Sequence, residues 1–536
     1  MSTLASSGGN GSQPPQGTGG SAGLNASSGG TSAGPPPTTI RAGACEVALP
    51  ARRLRRLANA QMEQAIADLL GPASRPSITA GARSTRPLFD DPDAPVSTSL
   101  LAQLHSESER IGGEIANGKF TSLTGCNETA LIDTCVSGFI ARLGERAFRR
   151  PLSALELQEL SAVFNEGGMD GAGAALELLL RAVFTAPSFV WVTEFGTQVP
   201  GSNRAELTPH EVAAQLGLSL LDSVPDDALL AAAESGALST EVGLRAQVDR
   251  LLSEPVVQAG LTAVFRRAFM LEDIAIAEKD QAKYPEFGSV LRSAFAEEAR
   301  LFIEHQVWGS SGTPTSLLTT QSSFGNQALA DFYGASRNGP AEAFVPMQLP
   351  AERSGLLTLG SVLAARATAV DTSVVRRGLF VRRALACLDE VPSPSPALAG
   401  QIATQTANYT TERDRAAARA SSSTCGPCHT TFDGFGLVLE GFDSIGRFRR
   451  AEQQPVPLAF GGALTADFTG APDLAQRLAS GGRFASCVSR ELLSYLVAAP
   501  ATSACEAPAT EASLADTLRT LLASNAMRER SLGGSQ

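Results

Sequence analysis

The pentapeptide Cys425-Gly426-Pro427-Cys428-His429 constrains this 536-residue chain more than any other stretch. C-x-x-C-H is the attachment pattern for c-type haem. Two thiols on one turn can form thioether bonds to the haem vinyl groups, and the adjacent imidazole is then placed to bind iron from the proximal side. The chain has only 8 Cys and 4 His, so a chance meeting of these residues at this spacing is rare. The spacing therefore predicts haem c held covalently by Cys425 and Cys428, with His429 as the iron ligand.

Three other chemistries use parts of the same pattern. Cys-Gly-Pro-Cys is also a thioredoxin-type active site, where the first thiol caps a helix that follows a β-strand. Here the lead-in, Arg413-Asp414-Arg415-Ala416-Ala417-Ala418-Arg419, is polar and reads as helix or coil, not strand. Zinc would need a fourth ligand from Cys487 or Asp433, and adjacent Cys and His seldom serve one tetrahedral ion. A plain disulfide would close a strained Cys-x-x-Cys ring. The residues after the motif favour haem. Phe432, Phe435, Leu437, Leu439 and Phe442 can supply an apolar wall, with Phe432, Phe435 and Phe442 as its aromatic part. Asp433, Glu440 and Asp443 lack the regular ligand spacing of a calcium loop and can instead pair with Arg447 and Arg449.

Attached haem implies an oxidising compartment, and the other six cysteines are consistent with one. Cys126 with Cys135, and Cys487 with Cys505, flank short segments and can close as disulfides; Cys45 and Cys387 remain. The expected location is therefore periplasmic or cell-surface. No run of 18 apolar residues predicts a transmembrane span, and no secretory core follows Met1. Residues 1–44, rich in Gly, Ser and Pro, read as a disordered tether. The expected export is ascribed to a signal or lipoprotein anchor upstream of Met1. A net charge of −11 excludes a nucleic-acid-binding role. Arg52-Arg53-Leu54-Arg55-Arg56 reads as the polar face of a helix.

After the tether, helical periodicity dominates. Leu54, Leu57, Met62, Ile66 and Leu69 recur at helical spacing and stop at Gly71-Pro72. Thr208-Pro209-His210-Glu211 is a capping box with Pro at the first helical position. Asp226-Asp227 reads as an acidic helix start, and Glu297-Glu298 as a solvated face. Sustained β alternation is nearly absent, so the fold class is all-α, a multidomain helical array. There is no G-x-S-x-G elbow, P-loop, H-E-x-x-H or Rossmann fingerprint in strand–helix context.

CGPCHTTFDGFGLVLEGFDSIGRFR, residues 425–449, resembles the haem-motif domain of planctomycete-type and myxobacterial multidomain proteins of unknown function. That domain runs C-x-x-C-H, then Asp-Pro-x-Gly-Phe, then Glu-x-Phe-Asp-x-x-Gly-x-x-Arg. Arg52–Gly71, Arg146–Leu152, Ala186–Glu194, Pro225–Asp227, Phe324–Gly334, Arg353–Leu363 and Phe484–Tyr495 resemble further segments in the family's order. The resemblance implies a cytochrome c-like domain at 341–455, preceded by helical domains at 45–120, 121–200 and 201–340 and followed by one at 456–536. Two positions depart from the pattern: Asp433-Gly434 replaces Asp-Pro, and Arg419 stands where many relatives carry a His. The second iron ligand is left open among Met527, near a C-terminus expected to fray, Met347, Met270, His305 and His210. The expected activity is monohaem electron transfer to a redox partner protein. The alternatives are a haem oxidoreductase with an open iron position and a surface assembly module in which the motif is a staple.

Overall fold

The computed structural model describes residues 49–80, 95–116, 119–129, 131, 134–310, 312–388, 391–450, 456–460, 464–501 and 512–533. The tether at 1–44, Cys45 and Cys505 lie outside them. Helices make up most of the chain, as the periodicity predicts. Five of them, Asn59–Leu70, Thr98–Ala116, Thr134–Phe148, Ala154–Gly168 and Ala172–Thr185, share an apolar core that includes Ile66, Leu104, Phe164, Leu179 and Phe184. Capping sets where they start. Ser153 accepts from the Glu156 N–H while the Glu156 side chain returns to the Ser153 N–H, which satisfies two of the donors a helix start leaves free. The expected disulfide Cys126–Cys135 is formed, with Cα atoms 5.7 Å apart.

A second and larger core joins the middle of the chain to its end. Helices Pro209–Leu216, Glu241–Leu252 and Pro255–Ala268 pack in it with Arg483–Leu496 and Leu514–Leu522. Thr208 and Glu211 form the expected capping box. Asp226 caps the helix Asp227–Glu234, its Oδ1 accepting from the Leu229 N–H at 2.8 Å. Met527 is fully buried in this core rather than frayed, because the strand after it, Glu529–Ser531, pairs with Arg204–Glu206. Among the described residues, strands form four small antiparallel sheets.

One of those sheets corrects the reading of the arginine run. Arg53–Arg56 is a strand, not a helix face, and it pairs with Trp191–Glu194 with Arg53 opposite Glu194. Residues two apart share one face of a strand. Arg53 and Arg55 therefore both reach the Glu194 carboxylate, at 3.1 and 2.9 Å. A helix would have pointed them to different sides. Arg530 arrives from the C-terminal strand at 2.7 Å, and Arg55, Glu194 and Arg530 are all buried.

Cys487 bonds Cys387, 100 residues earlier, instead of Cys505. It lies on the buried face of Arg483–Leu496, which packs against the turn Val381–Leu385 immediately before Cys387. The helix face, not nearness in sequence, selects the partner.

The pair Glu297-Glu298 also departs from the solvated-face reading. Glu297 bonds Arg300 at 2.7 Å near the surface. Glu298, on the inner face of Ser289–Trp308, is fully buried. It accepts hydrogen bonds from Ser323 Oγ at 2.8 Å and from the Tyr333 hydroxyl at 2.6 Å. Burial pushes its carboxyl up to about 7, against the pull of those two bonds. An acid raised on folding stabilises the protein fully below its unfolded value of about 4.3 and loses that contribution as pH rises through its folded value. For this group the loss is about 3 to 4 kcal/mol. In Glu298→Gln the fall in urea midpoint between about pH 4.5 and 7.5 should flatten.

Candidate functional site

The Cys425–His429 motif sits between two helices. The first, Glu412–Ser421, is capped by Thr411, whose hydroxyl accepts from the Asp414 N–H at 3.1 Å. It buries only Ala416 and Arg419. No strand leads into the motif, so the setting a thioredoxin site needs is missing. Cys425 opens a single helical turn, Gly426–His429, with Pro427 in the tolerated first positions. Gly426 packs so closely on the Ala420 carbonyl that a Cβ would collide with it. The second helix, Asp433–Val438, crosses Val374–Phe380 glycine to backbone: Gly436 lies on Val374 and Gly378 on the Phe432 carbonyl. These contacts fix the motif turn relative to the core.

Both thiols are unbonded, Cys425 buried and Cys428 exposed. The staple reading of the motif as a disulfide is thus not what the chain adopts. Nor does any group of three or more His, Cys, Asp and Glu side chains among the described residues converge on a metal position. The His429 ring is mostly buried and packs on Phe432, with ring centres 4.9 Å apart. Its Nδ1 lies 3.1 and 3.2 Å from the two carboxylate oxygens of Asp433. The same carboxylate accepts from Arg419 Nε at 2.8 Å. A carboxylate only accepts, so Nδ1 is the donor, and in the neutral ring the lone pair is then on Nε2. Phe435 and Phe442 are buried in the large core, Phe442 against Phe448 at 5.4 Å.

Family models of three domains match this chain. They are PSD5 (protein of unknown function, DUF1595) over residues 135–194, PSD4 (protein of unknown function, DUF1592) over 207–335 and PSCyt3 (protein of unknown function, DUF1588) over 353–452. The chain carries planctomycete-type PSD5, PSD4 and PSCyt3 domains. The cytochrome-like one, PSCyt3, contains the entire motif together with Arg419 and Asp433. Comparisons with curated proteins and with solved structures return no match.

Within the PSCyt3 domain, two buried arginines brace the segment that follows the motif. Arg377 donates to the carbonyls of Leu439, Phe442 and Asp443 at 2.8, 2.7 and 2.6 Å. Burial draws its guanidinium down to about 10, which leaves it a cation at neutral pH. Arg353 donates to Thr358 and Gly446 at 2.8 and 2.6 Å and lies 3.8 Å above the Tyr333 ring of the PSD4 domain. The other two carboxylates are spoken for nearby and do not converge with Asp433. Glu440 accepts from Thr372 Oγ1 at 2.9 Å, and Asp443 accepts the Ile445 and Arg447 N–H groups at 3.0 and 2.8 Å.

The candidates for a second iron ligand are scattered. Met347 is buried in the strand Val345–Gln348, in a core with Phe295 and Tyr333. Met270 occupies a left-handed turn whose carbonyl accepts from Arg366. His305 is exposed beside Phe324, and His210 lies in the first turn of Pro209–Leu216. The residue the motif reading missed is Asp433, weighed there as a zinc ligand or as a partner of Arg447 and Arg449, not of His429 and Arg419. Its signal was its position four residues after His429, a spacing at which side chains meet. The two disulfides among the described residues suit a protein that folds in an oxidising compartment. No helix among the described residues is long and apolar enough to cross a membrane.

Proposed function

We propose that this protein is an extracytoplasmic c-type cytochrome that passes single electrons to a redox partner at the periplasm or cell surface. The observation that carries the reading is the motif turn itself. Two unbonded thiols stand one helical turn apart beside an imidazole whose Nδ1 is engaged by Asp433, leaving Nε2 as the coordinating nitrogen. This donor set suits haem c. Each thiol adds across one vinyl double bond, sulfur to one carbon and proton to the other, so no oxidant is consumed. Haem, when bound, supplies the one-electron couple. Cys425 and Cys428 would hold its edge through thioethers and His429 Nε2 would bind its iron, while Phe432 packs on the imidazole. The glycine crossings and the Arg353 and Arg377 braces hold these groups still, which keeps reorganisation on electron transfer small.

The test is the mass of the protein made together with haem-maturation factors. A gain of one whole haem that survives denaturation, abolished in Cys425→Ala/Cys428→Ala, is the expected result. An unaltered mass and no Soret band would overturn the reading. A low-spin spectrum with a sharp reduced α-band supports electron transfer; a high-spin spectrum that shifts with cyanide would replace it by an oxidoreductase with an open iron position.

A further inference from the structure

The Arg419–Asp433–His429 chain of contacts has a consequence for the site's electronics. Arg419 is buried on the lead-in helix, and Asp433 is buried at the start of the next one. They lie 14 residues apart and meet at 2.8 Å, while Asp433 also spans the Nδ1 of His429 with both oxygens. A carboxylate on the far nitrogen of a ligating imidazole fixes its tautomer and raises its basicity. The charge on Asp433 is shared: the guanidinium that accepts part of it leaves less for the imidazole. Glu412, on the same helix as Arg419, lies 3.9 Å from its guanidinium, farther than Asp433 at 2.8 Å, so Asp433 is the closer counter-charge.

We propose that Asp433 and Arg419 are positioning residues that act on the candidate iron ligand as a pair. Asp433 holds His429 with Nε2 free and enriches the imidazole in electrons, and Arg419 limits that enrichment. The proposal rests on the haem reading above for its redox part, but its tautomer part belongs to the protein alone. Arg419 thereby has a use of its own at the position where the resemblance leads one to expect a histidine.

Electron enrichment of a ligand stabilises the ferric state and lowers the potential. The haem-loaded Asp433→Asn variant should therefore show a raised midpoint potential, and Arg419→Gln a lowered one. Because any buried charge also shifts a potential through its field, the double variant decides between routes. If Arg419 works through Asp433, the Arg419→Gln shift disappears in the Asp433→Asn background. If the two shifts simply add, the proposal is overturned. A second measurement needs neither haem nor a variant that folds. Nitrogen NMR of His429 in the haem-free protein should report a protonated Nδ1 and a bare Nε2, and the opposite tautomer would refute the assignment. Failure to load haem into the wild type sinks the cytochrome reading alone. Haem-loaded variants with wild-type potentials sink this one.

Discussion

Glu194→Ala should destabilise the protein by about 3–5 kcal/mol, the usual cost of removing one partner from a buried ion pair. The wild-type carboxylate is met by three guanidiniums, from Arg53, Arg55 and Arg530. Arg55 and Arg530 are buried, so without Glu194 two cations are left without a counter-charge away from water. The cluster also ties the strand Arg53–Arg56 to Arg530, and so joins the start of the described chain to its end. A lowered urea midpoint with early loss of the N-terminal strand's amide protection is the expected result. An unchanged midpoint would show that the cluster adds no stability.

The same carboxylate gives an acid limb. Burial alone would push Glu194 up, but Arg530, Arg55 and Arg53 together overcome it and hold the carboxyl at about 2. A folded value below the unfolded one of about 4.3 contributes stability that is present above about 4.3 and lost as pH falls through about 2. The contribution is about 3 kcal/mol. Glu194→Gln should remove that part of the acid sensitivity, read as the slope of urea midpoint against pH between about 4.5 and 2. Glu298 runs the other way, its contribution fading as pH rises toward about 7. Two buried glutamates thus bias the chain in opposite directions: three cations outweigh burial at Glu194, whereas burial outweighs the two hydroxyls, the Gly360 N–H and the more distant Arg353 charge at Glu298.

Cys387→Ser/Cys487→Ser should cost about 4–5 kcal/mol on a loop-entropy account, because the bond closes 100 residues. That loop contains the whole stretch from the lead-in helix through the motif turn. The lead-in helix buries only two of its own side chains, so its hold on the body is slight without the closed loop. The double serine variant should melt earlier and should expose Cys425 to a thiol reagent faster than the wild type does. A thiol count on the wild type under denaturing, non-reducing conditions checks the premise, since Cys387 and Cys487 must be unreactive there.

Much of the candidate site was legible because its chemistry is local. Cys425, Cys428 and His429 are read from spacing alone, and Phe432 from its place three residues further on. Asp433 was legible in principle through its four-residue step from His429, but the step does not say which acceptor a histidine takes. Arg353 and Arg377 were not legible as braces. The partners that make them braces, Gly446 for Arg353 and Leu439, Phe442 and Asp443 for Arg377, are carbonyls 62 to 93 residues away, and a carbonyl carries no sequence signature.

By itself the sequence determined the helical class, the helix starts at Thr208 and Asp226, the Cys126–Cys135 bond and the motif turn. Periodicity, capping and short loop closure act within a few residues, so the chain spells them out directly. Tertiary structure alone decided that an arginine run would be a strand, that Glu298 would be buried and that Cys487 would bond Cys387. Each of these depends on a partner far along the chain. Glu194 and Arg530 lie 336 residues apart, and a buried charge settles its conformation only when such a partner reaches it.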